Sequence, residues 1–305
     1  MHPAISVIFF TVSSGAGFGL IFLISTGVEL PASGLPAFLV SLLAGGLAVA
    51  GLISSTFHLG HPERAWRAFS QWQSSWLSRE GVLAVATLLC FAIYALIWTF
   101  TGSRVPMLGL LTSALATATV YATAMIYAQL KTVPNWHVWL TPVVYLAFSF
   151  VSGLLLAGMI NAQSSIIGID LPWIAILCLL GAWALKVAWW QRADRVGFSG
   201  TGSDTGTATG LGFLGKVRLL ERPHTGENYL TREMVHQIGR KHAMKLRLIA
   251  LVTGCGIPIL LSALATLSAS GEIAMMLAAI SLLIGLFAER WLFFAEAKHA
   301  VSLYY

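Results

Sequence analysis

Residues able to carry chemistry crowd into one short stretch. An apolar run ends near residue 57 and is followed by His58-Leu59-Gly60-His61-Pro62-Glu63-Arg64-Ala65-Trp66-Arg67; Arg79-Glu80 then stands just ahead of the next apolar run. His58, His61, Arg64 and Glu80 therefore lie at similar depth on one face. Histidine titrates near neutrality, and burial lifts a carboxyl towards it. A quinone asks for such groups, since it presents two carbonyl oxygens and exchanges two protons with two electrons. The plainer reading is a membrane-anchoring turn. Pro62 suits the first position of a short helix, Glu63 and Arg67 are spaced as an i,i+4 pair, and Trp66, Phe69, Trp72 and Trp76 suit the aromatic belt.

A second stretch, Lys131-Thr132-Val133-Pro134-Asn135-Trp136-His137, leads into Trp139-Leu140-Thr141-Pro142. Trp136 and Trp139 read as belt residues. His137 matches the depth of His58 and is placed to line the same pocket. Near the C-terminus, Glu289-Arg290 either marks the membrane boundary or turns Arg290 inward as a counter-ion. Haem b is the less favoured cofactor, because no histidine lies deep in an apolar run; His236 and His242 are the ligand candidates if one is held. Cys90, Cys178 and Cys255 each lie within an apolar run and form no C-x-x-C, so no iron–sulfur cluster is expected in this chain.

The elements that must position these groups are membrane helices. Only 10% of the 305 residues are charged and the mean hydropathy is +0.80, whereas a soluble domain carries about 25% charged residues. Apolar runs at about 4–28, 36–57, 81–100, 106–130, 139–160, 171–191, 247–268 and 273–295 are long enough to span a bilayer. The first is too long for a signal-peptide core and is read as a retained helix. The fold class is thus all-α, a polytopic bundle of about eight transmembrane helices.

Of the 18 Lys and Arg residues, 17 fall at one set of helix ends; Arg104 alone lies at the other, beside Glu29, Asp170 and Glu272. The positive-inside rule makes the basic face, and both termini, cytoplasmic in a bacterial inner membrane. The basic charges are read as topology markers, with no nucleic acid partner. Three regions result: helices 1–6 (1–196), a cytoplasmic linker and docking segment (197–246), and helices 7–8 with a tail (247–305). The connection is Gly/Ser/Thr-rich over Gly197–Gly215 and unusually long, which suits a docking role. Arg67, Arg79, Arg218, Arg222 and His224 are its candidate contacts.

His-Leu-Gly-x-Pro-x-Arg-Ala at 58–65, Ser78-Arg79-Glu80, and Thr132-Val133-Pro134-x-Trp136 with Trp139-x-Thr141-Pro142 resemble the membrane anchor subunit of the dimethyl sulfoxide reductase family. The resemblance implies a chain without substrate chemistry of its own. Such an anchor holds a molybdenum catalytic subunit and an iron–sulfur subunit, and exchanges their electrons with ubiquinone or menaquinone. It also implies a quinone role for the positions of His58 and Glu80, and less directly Arg64. Periplasm-facing members turn this face outward. The charge count turns it inward here, as in the cytoplasm-facing sulfite-oxidising members, with both partners docked from the cytoplasm. A quinol-dependent terminal reductase of dimethyl sulfoxide reductase type is the nearest alternative. A transporter is a more distant one, because the polar groups gather at one face instead of the midplane.

Overall fold

The computed structural model describes residues 4–30, 33–198, 204–218, 220–221, 226, 242–268 and 271–303. Arg222, His224 and His236 lie outside this set, as does the side chain of His58. The helices are α1 (Ile5–Ser25), α2 (Gly34–Ser54), α3 (Trp76–Thr101), α4 (Pro106–Ala128), α5 (Leu140–Ile160), α6 (Leu171–Arg195), the short α7 (Thr205–Thr209), α8 (Ala243–Leu267) and α9 (Gly271–Ala295). Eight of them, all but α7, are long and apolar enough to cross a membrane. Two 3₁₀ turns, Ser55–His58 and Pro62–Phe69, link α2 to α3. A two-residue hairpin pairs Ser165 with Asp170 ahead of α6.

Most boundaries follow the apolar runs, with proline in the first turn of α4, α6 and the second half of α8. Two starts differ. α3 begins at Trp76, not near 81, and α8 at Ala243, not near 247. Both added turns are amphipathic boundary residues (Trp76 to Glu80; Ala243 to Lys245), which a hydropathy window discounts although they are competent helix formers.

The helices form two four-helix groups. In one, α1 packs on α2 and α4, and α3 closes the ring; in the other, α5, α6, α8 and α9 pack in a ring. The groups meet chiefly where α1 lies on α5. That seam is tight because Gly19 and Gly153 face one another: a Cβ on either would overlap the other helix's backbone. Small residues allow this approach in a bilayer, where helices associate by packing. α1 is nearly enclosed, whereas Val82, Val85, Leu89, Ile93 and Leu96 of α3 form an outward apolar stripe at helical spacing, as lipid contact requires.

Within α8, residues Val252–Gly256 form a π turn ahead of Pro258. Proline has no N–H to return to the chain, so carbonyls one turn back lose their donor. The neighbours replace it. Trp183 Nε1 of α6 donates to Gly254 O at 2.8 Å, and Ser281 Oγ of α9 donates to Thr253 O at 2.6 Å. Gly254 and Gly285 let the two backbones close over this point.

Candidate functional site

Glu80 sits one turn inside α3 and is 4% exposed. Its Oε1 lies 2.5 Å from Thr123 Oγ1 of α4, which is also 3.1 Å from Thr119 O. A hydroxyl has one proton and two lone pairs. With Glu80 ionised, Thr123 donates to it. With Glu80 protonated, Glu80 donates to Thr123, which then donates to Thr119 O. The pair accommodates both protonation states without moving a heavy atom.

The segment before Glu80 is folded against it. Ser78 Oγ donates to Ala68 O, and Phe69 covers Gly81, where a Cβ would crowd the ring. Arg79 turns back on the preceding loop, donating to Trp72 O at 3.1 Å and Gln73 O at 2.6 Å, with its guanidinium 4.5 Å from the Trp76 ring centre. Arg79 therefore braces the turn.

The rest of the 58–67 stretch is open. His61 and Arg64 are 68% and 57% exposed in their side chains, and both approach Glu63, at 3.0 and 3.8 Å. The i,i+4 spacing of Glu63 and Arg67 does not produce a pair. The turn is 3₁₀, with about three residues per turn, so Glu63 meets its near neighbours while Arg67 points elsewhere. Arg67 instead lies 5.6 Å from the ring centre of Trp66, itself 66% exposed. His61 and Arg64 turn to Glu63 and not to Glu80; they share an end of the bundle with it.

His137 is engaged in its own turn. Its Nδ1 is 2.6 Å from Ala128 O, a carbonyl left free at the end of α4. Arg192 Nη1 donates to Pro134 O at 3.0 Å. Trp136 is not a belt residue: it is 1% exposed, stacks on Phe293 with ring centres 5.1 Å apart, and donates from Nε1 to Phe293 O at 2.9 Å. Trp139, by contrast, is exposed. His242 is exposed ahead of α8, and Arg218 is exposed in the connection. Among the described residues, no group of three or more His, Cys, Asp or Glu is arranged to hold a metal.

The largest feature beyond the expected set is a buried charge cluster. Lys186 of α6 and Glu289 of α9 are both fully enclosed and form an ion pair. Arg290 Nη1 lies 3.3 Å from Glu289 Oε2, and its guanidinium stacks 3.7 Å from the Tyr145 ring centre. The Lys186 ammonium lies 3.8 Å from the Trp189 ring centre. Arg290 is thus turned inward, as one of the two sequence readings has it. Lys186 stands nine residues, roughly 14 Å, inside the end of α6. The available signal was a lysine inside an apolar run, with Trp183, Trp189 and Trp190 a helical turn away on either side.

Between Glu80's partner and this cluster lies a small cavity of about 20 Å³, whose wall mixes polar Thr123, Tyr145, Ser152 and Arg290 with apolar Val120, Phe148 and Leu286. Tyr145 Oη and Ser152 Oγ are buried without a hydrogen-bond partner. The space has room for roughly one or two waters. It is far below the roughly 300 Å³ and more of a small-molecule pocket. A quinone ring therefore does not fit there.

At the outer rim, Arg247 of α8 bonds Asp194 of α6 at 2.7 Å and Glu296, just past α9, at 2.9 Å. Burial pushes the Glu296 carboxyl above the usual carboxylate range, against the opposing pull of Arg247 and Lys186. Next to it, Ala300 N donates to Thr132 O at 2.8 Å, so the tail also ties down the 131–139 turn.

Residues 1–295 match the family described as DMSO reductase anchor subunit (DmsC). The chain is also 37% identical over 330 aligned positions to a sulfite dehydrogenase subunit of Allochromatium vinosum, covering 100% of this chain and 99% of the relative. No solved structure matches it. With eight membrane-length helices and a match over nearly its whole length, the chain belongs to the DMSO reductase anchor subunit family.

Proposed function

We propose that this chain anchors an iron–sulfur subunit and a molybdenum catalytic subunit at the cytoplasmic face of a bacterial inner membrane, and passes their electrons to membrane quinone during sulfite oxidation to sulfate. The carrying observation is Glu80: a buried carboxyl at the membrane boundary whose hydroxyl partner serves both of its protonation states. Quinone, when bound, supplies the two-electron acceptor. Glu80 then holds or releases a proton at its Oε1, and Thr123 rotates its own proton to match. His58 ends the 3₁₀ turn after α2 and is the second proposed quinone ligand. His61 and Arg64, exposed beside Glu63, are better placed at the mouth or on a partner than against the ring.

The sulfite reading draws on the name of the full-length relative. The inward orientation draws on the count of 17 basic residues at one set of helix ends. The test is the purified three-subunit complex. Glu80→Gln and His58→Ala should assemble and keep sulfite-dependent reduction of a soluble dye, yet lose about tenfold or more of quinone reduction. Wild-type quinone rates in both variants would sink the site. An active complex that turns over dimethyl sulfoxide with quinol and leaves sulfite untouched would replace sulfite oxidation with the terminal-reductase reading.

A further inference from the structure

The proposed reduction of quinone consumes two protons, and Glu80 is enclosed by protein. Something must return protons to it. Its hydrogen-bond partner, Thr123, lines the small cavity between α1, α4, α5 and α9. Two hydroxyls bordering that cavity, on Tyr145 (4% exposed) and Ser152 (2% exposed), have no partner of their own. Buried polar groups are almost always satisfied, and a cavity of this size with Thr123, Tyr145, Ser152 and Arg290 at its wall offers water the polar partners it needs. On the far side stands Arg290, joined to Glu289, which is joined to Lys186.

From the geometry we infer that the interior cavity carries water which passes protons between Glu80 and the Lys186–Glu289–Arg290 cluster, supplying the quinone site from inside the bundle. This inference rests on the quinone reading of Glu80. The path runs from Glu80 through Thr123 to the cavity water, which Tyr145 and Ser152 also border, with Arg290 across the cavity and Glu289 and Lys186 behind it. Glu296 and Arg247 stand at the rim beyond. Each hop breaks one O–H or N–H bond as the next forms, so the relay gains and loses no atoms. The electrons reach the quinone separately, from the partner's iron–sulfur cluster, and quinone, two electrons and two protons give quinol.

Tyr145→Phe deletes only the hydroxyl and keeps the ring on which Arg290 stacks. In the whole complex it should lower quinone reduction about tenfold and enlarge the solvent deuterium isotope effect, while sulfite-dependent dye reduction stays at the wild-type rate. Ser152→Ala is the second variant and should shift both quantities in the same direction, which keeps the test open should Tyr145→Phe assemble poorly. Wild-type quinone rates and isotope effects in the assembled variants, together with a slow Glu80→Gln, would overturn the relay and leave the quinone site standing. A wild-type rate in Glu80→Gln would remove both.

Discussion

Two of the connections at the basic end of the bundle look alike in sequence and differ in the fold. Both are short, rich in tryptophan and punctuated by proline. The 58–75 connection leaves His61, Glu63, Arg64, Trp66 and Trp72 exposed. In the 131–139 connection Val133, Asn135 and Trp136 are buried, and it is held by Arg192, Phe293 and the C-terminal tail. One is a keystone of the second helix group, and the other is a surface held at its base by Arg79, Ser78 and Phe69. Similar residue types thus mark opposite jobs, and the difference lies in what packs behind them.

The contrast is strongest at the tryptophans. Trp136→Ala should cost about 3–5 kcal/mol, since it empties a stacked, hydrogen-bonded core site; thermal unfolding in detergent measures it, and a loss below about 1 kcal/mol would dissolve the distinction. Removing the shared anion of the buried cluster behind it, as in Glu289→Leu, strands Lys186 and Arg290 together and should cost a similar ~3–5 kcal/mol. Adding Lys186→Met should recover only part of that loss, because Arg290 then still lies buried without its carboxylate. Arg192→Ala removes a charged donor from Pro134 O and should cost about 1.5–3 kcal/mol. Arg64→Ala with Arg67→Ala, on the open connection, should move stability by no more than about 0.5 kcal/mol and instead weaken retention of the iron–sulfur subunit on a column. Full retention would make that surface a lipid contact only.

The smallest effect concerns the tail. Burial holds the His299 imidazole below its ordinary value. Its Nδ1 accepts from Val301 N at 3.1 Å, which requires the neutral ring. A base with a lowered folded pKa contributes stability above its unfolded pKa and loses it as pH falls through and below that value. The 300–303 turn should therefore loosen between about pH 7 and pH 5, read as faster amide exchange at Val301 with the helices unchanged.

The eight spans were legible because lipid imposes length and apolarity on each of them. The basic end was legible because charge gathers where helices leave the bilayer. What hydropathy cannot show is which side of an apolar helix meets protein. α1 and α3 are almost equally apolar, yet α1 is largely enclosed and α3 faces outward. For the same reason Lys186 and Glu289 read as residues near helix ends, whereas the fold encloses both completely. Glu80 was found through its motif, but Thr123 has no mark among the many threonines of α4; only the approach of α3 and α4 selects it.

The π turn in α8 bears on how the protein is made. Alone in a bilayer, this helix would leave the Thr253 and Gly254 carbonyls facing hydrocarbon, each unsatisfied group costing several kcal/mol. α6 precedes α8 from the ribosome, so Trp183 can cover Gly254 as soon as α8 arrives. Ser281 belongs to α9, the last span, so Thr253 stays uncovered until synthesis of the bundle is nearly done. The seventh span is therefore an incomplete membrane segment whose insertion is finished by its successor, and a chain truncated after α8 should be held back at the insertion machinery or degraded.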